Sequence, residues 1–279
     1  MHDLASQMFT AGLRKFLSLA LVLCLGQILT GCGTLANGRG WGQDATLFPG
    51  WERVGRAALN AALEPETWAP AAGAGLFQIG SFDRNVSHWA SERTPIFGSQ
   101  TNAGTASDVL NGVSMGATAI TALATPSGDQ SGDWALNKAK GLSVDIAAAA
   151  LTSGVTSGLK SAVDRPRPTG SGESFPSGHA SNTSVCDTLS ARNVDELAIP
   201  DGARLGLDIG FTALTVSTAW ARVEARQHYP SDVLGGMALG HFLGAFINDA
   251  FLGTKTPENF FFSVEPSKKG IGCNAYWIF

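Results

Sequence analysis

KSAVDRPRP (160–168), PSGH (176–179) and RVEARQHYPSD (222–232) are the stretches on which the reading of this chain turns. Written by spacing they are K-x6-R-P, P-S-G-H and R-x5-H-x3-D, so Lys160, Arg167, His179, Arg222, His228 and Asp232 follow in one ordered series. Two arginines and a lysine are suited to hold a phosphate. A guanidinium fork meets two oxygens at once, and an ammonium acts as a point charge. Gly178 lets backbone approach an anion closely, and Ser177 adds a hydroxyl donor. Pro176 suits a helix start, which puts the N–H groups of residues 177–179 at the positive end of a helix.

The two histidines suit the two further tasks of a covalent phosphoryl transfer, attack at phosphorus and proton transfer to the leaving oxygen. Asp232 lies four residues after His228, with Pro230 between them as a helix start. An aspartate at that spacing reaches one ring nitrogen and fixes the tautomer.

Together the three motifs resemble the signature of the type-2 phosphatidic acid phosphatase superfamily, which also holds bacterial acid phosphatases and vanadium haloperoxidases. The matched block runs from about Lys160 to Gly244, under a third of the chain, and residues 81–108 resemble the upstream helices of bacterial members. The resemblance implies an all-α helical bundle whose motif ends converge on one pocket. It implies that His228 is the nucleophile that forms a phosphohistidine and that His179 is the general acid, with Asp232 orienting His228. Lys160, Arg167, Ser177, Gly178 and Arg222 are then the phosphate ligands, and neither metal nor other cofactor is expected. One departure is visible: the serine that usually precedes the third-motif arginine is Ala221 here. It removes no proposed catalytic group.

The implied function is a metal-independent phosphatase that hydrolyses phosphomonoester or pyrophosphate bonds. The substrate expected is a membrane lipid phosphate, and a soluble phosphorylated small molecule stays open. Two other readings remain: a vanadate-dependent haloperoxidase-like oxidoreductase, and a non-catalytic envelope lipoprotein that keeps the fold. The first lacks any further halide-site motif, and the second sits poorly with a complete set of charged and imidazole positions.

Upstream, Arg14-Lys15 precedes an apolar run from Phe16 to Leu25 that is short for a bilayer span. Leu29-Thr30-Gly31-Cys32 then resembles a bacterial lipobox. Residues 1–31 are read as a lipoprotein signal peptide, Cys32 as the lipidated residue, 32–50 as a glycine-rich tether, and 51–279 as a single domain. Gly33 after the cysteine favours the outer membrane, with the body facing the periplasm. Met8 offers an alternative start. Losing residues 1–31 takes away a net charge of +1, so −4 becomes −5. That balance argues against a nucleic-acid partner. The partners expected are the phosphorylated substrate and, through the lipid anchor, a membrane; oligomeric state is not legible. Cys186 and Cys273 are read as unpaired buried thiols, with a disulfide as the alternative.

Helical segments are expected over 51–63, 68–79, 82–92, 105–124, 141–160, 178–191, 204–225 and 230–252, none of them a clean transmembrane span. Loops are expected over 125–134 and 192–203. The tail, with FFFSV at 260–264 and 274–279 flanking a PSKKG turn, resembles a small C-terminal β-hairpin. Arg165 is read as a rim or surface cation, Glu224 and Arg226 as surface or supporting residues, and His241 and His88 as structural. Trp41, Trp51 and Trp68 are expected to pack, with membrane contact as the alternative.

Overall fold

The computed structural model describes residues 33–253, together with the backbone of residues 260–267 and 270–277. Residues 1–31, read from the sequence as a signal peptide, and Cys32, read as the lipidated residue, lie outside the described residues. Among the described residues are eight α-helices: α1 (Trp51–Leu63), α2 (Pro65–Phe77), α3 (Phe82–Arg93), α4 (Gln100–Ala124), α5 (Ser131–Val163), α6 (Gly178–Asp195), α7 (Asp201–Glu224) and α8 (Pro230–Ile247). A π-helical turn, Asn248–Leu252, extends α8. Strands β1 (Phe260–Ser267) and β2 (Gly270–Trp277) pair antiparallel, with Phe260 opposite Trp277 and Ser267 opposite Gly270, so the expected hairpin is present on an otherwise helical fold.

Local chemistry sets the helix ends. Pro65 and Pro230 occupy first-turn positions, where the missing N–H costs nothing. Ser99 caps α4 by accepting from Asn102 N, and Ser177 caps α6 by accepting from Ala180 N. Asp164 takes a left-handed conformation (φ 46°) and closes α5 with a bond from its N–H to Lys160 O.

Helix α6 is the central element and packs against α4, α5, α7 and α8. It is rich in serine, threonine and asparagine, yet Ser181, Thr183, Ser184, Thr188, Ser190 and Asn193 are all buried. Hydroxyls here return to helix carbonyls, as Thr188 Oγ1 does to Ser184 O (2.8 Å) and Ser190 Oγ to Cys186 O (2.8 Å). Small residues also let α6 meet α8 backbone to backbone. A Cβ on Gly236 would stand 2.6 Å from Ser177 O, and one on Gly240 would stand 2.2 Å from Ser181 O. Glycine is the only residue that permits this approach. It brings the N-termini of α6 and α8 side by side.

The bundle therefore has two distinct ends. The starts of α6 and α8, the Ser107–Asp108 region of α4 and the ends of α5 and α7 gather at one. The ends of α4, α6 and α8 and the starts of α5 and α7 gather at the other. A core of Trp41, Ala122, Val144, Val185, Leu189 and Leu252 fills the bundle toward that second end.

There the structure differs from the expected tether. Residues 33–50 are irregular, but they are docked and not free: Trp41 is fully buried, and its ring leaves no room for a Cβ on Gly141. Gly33 exchanges two backbone bonds with Gly128, of 3.2 and 2.8 Å. Burial of one indole and one leucine outweighs the chain entropy that composition alone suggests would keep such a segment loose.

Helix α5 also begins ten residues before the expected 141. Its first turns are held by Asn137 Nδ2, which donates to Ser127 O (2.9 Å), and by Lys138. The Lys138 ammonium donates to Ala122 O (2.8 Å) and to the carbonyl and hydroxyl oxygens of Thr125 (2.6 and 2.8 Å), satisfying the carbonyl end of α4. The lengthened α5 is long and apolar enough to cross a membrane by length and composition, with only 28% of its most apolar stretch buried. Of the other tryptophans, Trp68 is 54% and Trp51 91% exposed, so these two do not pack as expected. Cys186 is buried and free.

Candidate active site

The loop from α5 to α6 carries the first motif back over the helix starts. Arg167 N bonds Gly172 O (3.2 Å), Ser174 N bonds Arg165 O (2.7 Å), and Gly170 and Gly172 take positive φ to make the turn. This return presents the Glu173 carbonyl to both first-motif cations: Lys160 Nζ donates to it at 3.0 Å and Arg167 Nε at 3.2 Å. Arg167 also donates to Gln227 Oε1 (2.7 Å), in the turn that follows α7. Arg222, in the last turn of α7, donates to Ser107 Oγ (3.2 Å).

These cations crowd one another. The Lys160 ammonium is held below the usual lysine range, first by burial and then by Arg167 and Arg222. Arg222 is lowered by burial and by Arg167. A cluster of like charges with low-dielectric walls focuses a positive potential and favours an anion.

His228 is buried, 2% exposed, in the turn between α7 and α8. Burial holds its imidazole down at about 4, so the ring is neutral at ordinary pH. Its Nδ1 faces Asp232 Oδ2 at 3.8 Å, and the Ser174 hydroxyl lies 3.5 Å from the same nitrogen while bonding Asp232 Oδ2. Asp232 is fully buried at the third residue of α8. Its Oδ2 accepts from Tyr229 N (2.8 Å), and its carbonyl accepts from Ser177 N (2.9 Å), which ties the start of α6 to the start of α8. Burial alone would raise this carboxyl; the facing His228 ring, bonds from Ser174 and Tyr229 and the charge of Arg165 outweigh it and hold it low.

His179 sits in the first turn of α6, where its Nε2 meets Asp108 Oδ1 of α4 at 2.8 Å. Burial and then Arg222 lower its pKa, while Asp108 works in the opposite direction. Gly178 leaves the neighbouring Lys160 and Thr156 side chains at 4.0 Å from where a Cβ would stand. Ser177 is buried and its hydroxyl caps α6. Ala221, at the departed position, is fully buried.

Lys160, Arg167, Ser177, Gly178, His179, Arg222, His228 and Asp232 thus gather at one end of the bundle. Three further residues belong with them. Ser174 carried no motif signal. Asp108 sits in a segment whose resemblance pointed to a helix but to no role.

Arg165 is the third and differs from the expected rim cation. It is half-buried, donates to Ser231 Oγ (2.7 Å) and Asp232 Oδ1 (2.8 Å), reaches Asp83 Oδ2 (2.6 Å) and lies over the Tyr229 ring. Asp83 in turn accepts from Ser231 N (2.9 Å). Glu224 is likewise no surface residue. It is fully buried and accepts from Ile96 N, Phe97 N (both 3.1 Å) and Trp220 Nε1 (2.6 Å), pinning the turn before α4 onto α7.

A separate cavity of about 500 Å³ lies among α2, α6, α7 and α8, lined by Glu64, Asp187, Arg192, Asp208 and His241 among others. Its acidic excess repels a phosphate, whereas the motif cluster gathers Lys160, Arg167 and Arg222. Glu64, Glu66 and His241 there bring possible metal ligands within 4.8 Å of one another. Both Glu64 oxygens are already engaged, one by Arg192 (2.6 Å) and one by His241 Nε2 (2.7 Å), and His241 Nδ1 meets Thr188 Oγ1 (2.9 Å). The grouping is an ion-pair network, which fits the structural reading of His241.

Residues 143–253 match the family model described as PAP2 superfamily. The fold is similar to the first transmembrane PAP2 type phosphatidylglycerolphosphate phosphatase from Bacillus subtilis, at 19% identity and a TM-score of 0.50, over 75% of this chain and 100% of that one. No curated protein matches the chain. The match encloses each of the three motifs and helices α6, α7 and α8 entire, and the motif-bearing part of this chain, residues 143–253, belongs to the PAP2 superfamily.

Proposed function

We propose that the protein is a metal-independent phosphatase that cleaves phosphate esters through a phosphohistidine. The observation that carries this reading is the buried, neutral His228, with Nδ1 turned to Asp232 and Ser174 beside a cluster of three cations. A neutral imidazole whose Nδ1 proton is held by a carboxylate has its lone pair on Nε2. That nitrogen attacks phosphorus, and the bond from phosphorus to the ester oxygen breaks. His179, in its protonated form, gives its proton to the departing oxygen. Water then attacks the phosphohistidine, and the P–N bond breaks to return His228 and inorganic phosphate, with His179 taking the proton of the water.

Lys160, Arg167 and Arg222, with the N–H groups at the start of α6, hold the equatorial oxygens, whose charge is the main thing the site has to stabilise. Asp232 keeps the His228 tautomer and balances the positive ring that forms on attack. A membrane lipid phosphate is the substrate class we favour, and the similar fold of a phosphatidylglycerolphosphate phosphatase is in keeping with it. Lipidation at Cys32 then holds the enzyme on the cell envelope, at the periplasmic face of the outer membrane.

Phosphate release from a panel of lipid and soluble phosphates tests the reading, with wild type beside His228→Ala. Loss of about 10³-fold or more in kcat is expected. Equal release by both proteins on every substrate overturns the mechanism, and no release by either supports a scaffold. Vanadate should inhibit; a peroxide-dependent halogenation would favour the haloperoxidase alternative.

A further inference from the structure

The lipid-bearing end of the chain and the phosphate site lie at opposite ends of the bundle. Gly33 follows Cys32 directly, so their Cα atoms are about 3.8 Å apart. Gly33 is fastened to Gly128 by two backbone bonds, and Leu35 and Trp41 are buried just beyond it. A lipid on Cys32 is therefore joined to the body with almost no slack. Gly128 stands just before α5, and α5 runs from Ser131 to Lys160 before it reaches the site, a rise of roughly 44 Å at 1.5 Å per residue. Helix α4 gives a shorter measure of the same relation, about 24 Å from Asp108 at the site to Ala124 near Gly128.

The anchor end also carries the most exposed apolar side chains of the described residues. Leu47, Phe48 and Trp51 are 83%, 90% and 91% exposed. They are held there by Thr46 N to Phe251 O (2.9 Å) and by Arg53 Nε to Asp249 O (3.2 Å), both at the end of α8. Tryptophan beside phenylalanine and leucine suits the boundary between headgroups and acyl chains. An anchor and an apolar foot at the same end favour an upright bundle, against a site end where Ile79 is 68% and Ile96 67% exposed.

We propose that the phosphate site faces away from the membrane that anchors the protein, and takes its phosphate ester from the aqueous side and not from the anchoring leaflet. This rests on the phosphatase reading and on lipidation at Cys32. A phosphate in the anchoring leaflet stays at headgroup height, roughly 25–40 Å below the pocket by the lengths of α4 and α5. A soluble phosphate ester, or a lipid phosphate in a facing membrane, meets the cations directly. The alternative posture is a body lying on the exposed flank of α5, where Ile146 is 68% and Leu151 44% exposed.

The test uses the full-length lipidated protein in liposomes. A dye is coupled at Ala36→Cys, at the anchor end, or at Thr169→Cys, beside the site, with unsubstituted protein giving the background labelling. Quenching by a headgroup-labelled lipid is then read. Strong quenching at residue 36 and little at 169 is expected; equal quenching at both overturns the proposal whatever the enzyme does. Phosphate release from phosphatidate in the same vesicles, phosphatidate in separate vesicles, and p-nitrophenyl phosphate is measured in parallel. Same-vesicle release at least tenfold below one of the other two is expected, and those two distinguish a facing lipid from a soluble ester. Release fastest from the same vesicle overturns the proposal and leaves the phosphatase reading intact. Absence of release even in detergent micelles overturns both.

Discussion

Arg165 Nη1 donates to Asp232 Oδ1 at 2.8 Å, joining the residue that follows the α5 cap to the carboxylate that faces His228. Through its other nitrogen the same guanidinium bonds Asp83 of α3, so one side chain connects three elements behind the site. Removing it leaves Asp232 and Asp83 buried without their counter-charge. Breaking such a pair costs about 3–5 kcal/mol. Arg165→Ala is expected to lose stability of that order in urea unfolding. It should also lower kcat more than it raises KM, because Arg165 touches Asp232 and makes no bond to the phosphate cations. Arg165→Lys, which cannot span both carboxylates with a planar fork, should recover only part of each loss.

Ser174 places a hydroxyl between Asp232 and the Nδ1 of His228. A hydrogen bond to a charged group is worth enough for about a tenfold effect. Ser174→Ala is expected to cut kcat by roughly that factor with KM little changed. A large rise in KM with kcat intact would place the hydroxyl on substrate instead.

Asp108 favours the protonated form of His179, opposing burial and Arg222. Asp108→Asn removes that support, so the His179 proton is lost at lower pH. In the proposed mechanism His179 carries a proton to the leaving oxygen, so the alkaline limb of the kcat profile should move to lower pH. An unmoved limb would detach Asp108 from the acid.

Gly240 meets Ser181 O at backbone distance. Gly240→Ala forces α6 and α8 apart and should cost about 1–3 kcal/mol in thermal or urea unfolding. Because those two helices carry His179 and Asp232, activity at temperatures well below unfolding should also fall.

Asp187 lies buried on α6, accepts from Thr215 Oγ1 (2.7 Å), and is pushed up to about 7 by burial. Between the ordinary carboxyl value and 7 the folded state holds a proton that the unfolded state has released. Its contribution to stability is therefore present at low pH and falls as pH rises through that window. Asp187→Asn should raise the melting temperature at pH 8 and leave it nearly unchanged at pH 4. His228 has the opposite sign: its lowered pKa favours the folded state above its ordinary value and loses that preference as pH falls toward 4.

Much of this was readable in order along the chain. Pro230 and the serine cap at 177 mark helix starts by chemistry that acts within one turn, so those boundaries fall where expected, whereas α2 starts at Pro65, three residues before the expected 68. The start of α5 does not, because its first turns depend on Lys138 reaching carbonyls in α4. The docking of 33–50 depends on Trp41 finding space over Gly141, 100 residues away. Arg165 and Arg167 look alike in sequence; their different partners follow from the loop that turns between them.

By itself the sequence determined the residue types of the site, their order, and the helical character of the elements that carry them. Those are matters of local spacing and side-chain chemistry. Tertiary structure alone decided which cation supports Asp232 and which carboxylate meets His179. It also decided that Ser174 stands beside His228, and that Gly33 and the motif cluster lie at opposite ends. Those relations join residues far apart in the chain, and they exist only once glycine-lined helices have brought their backbones into contact.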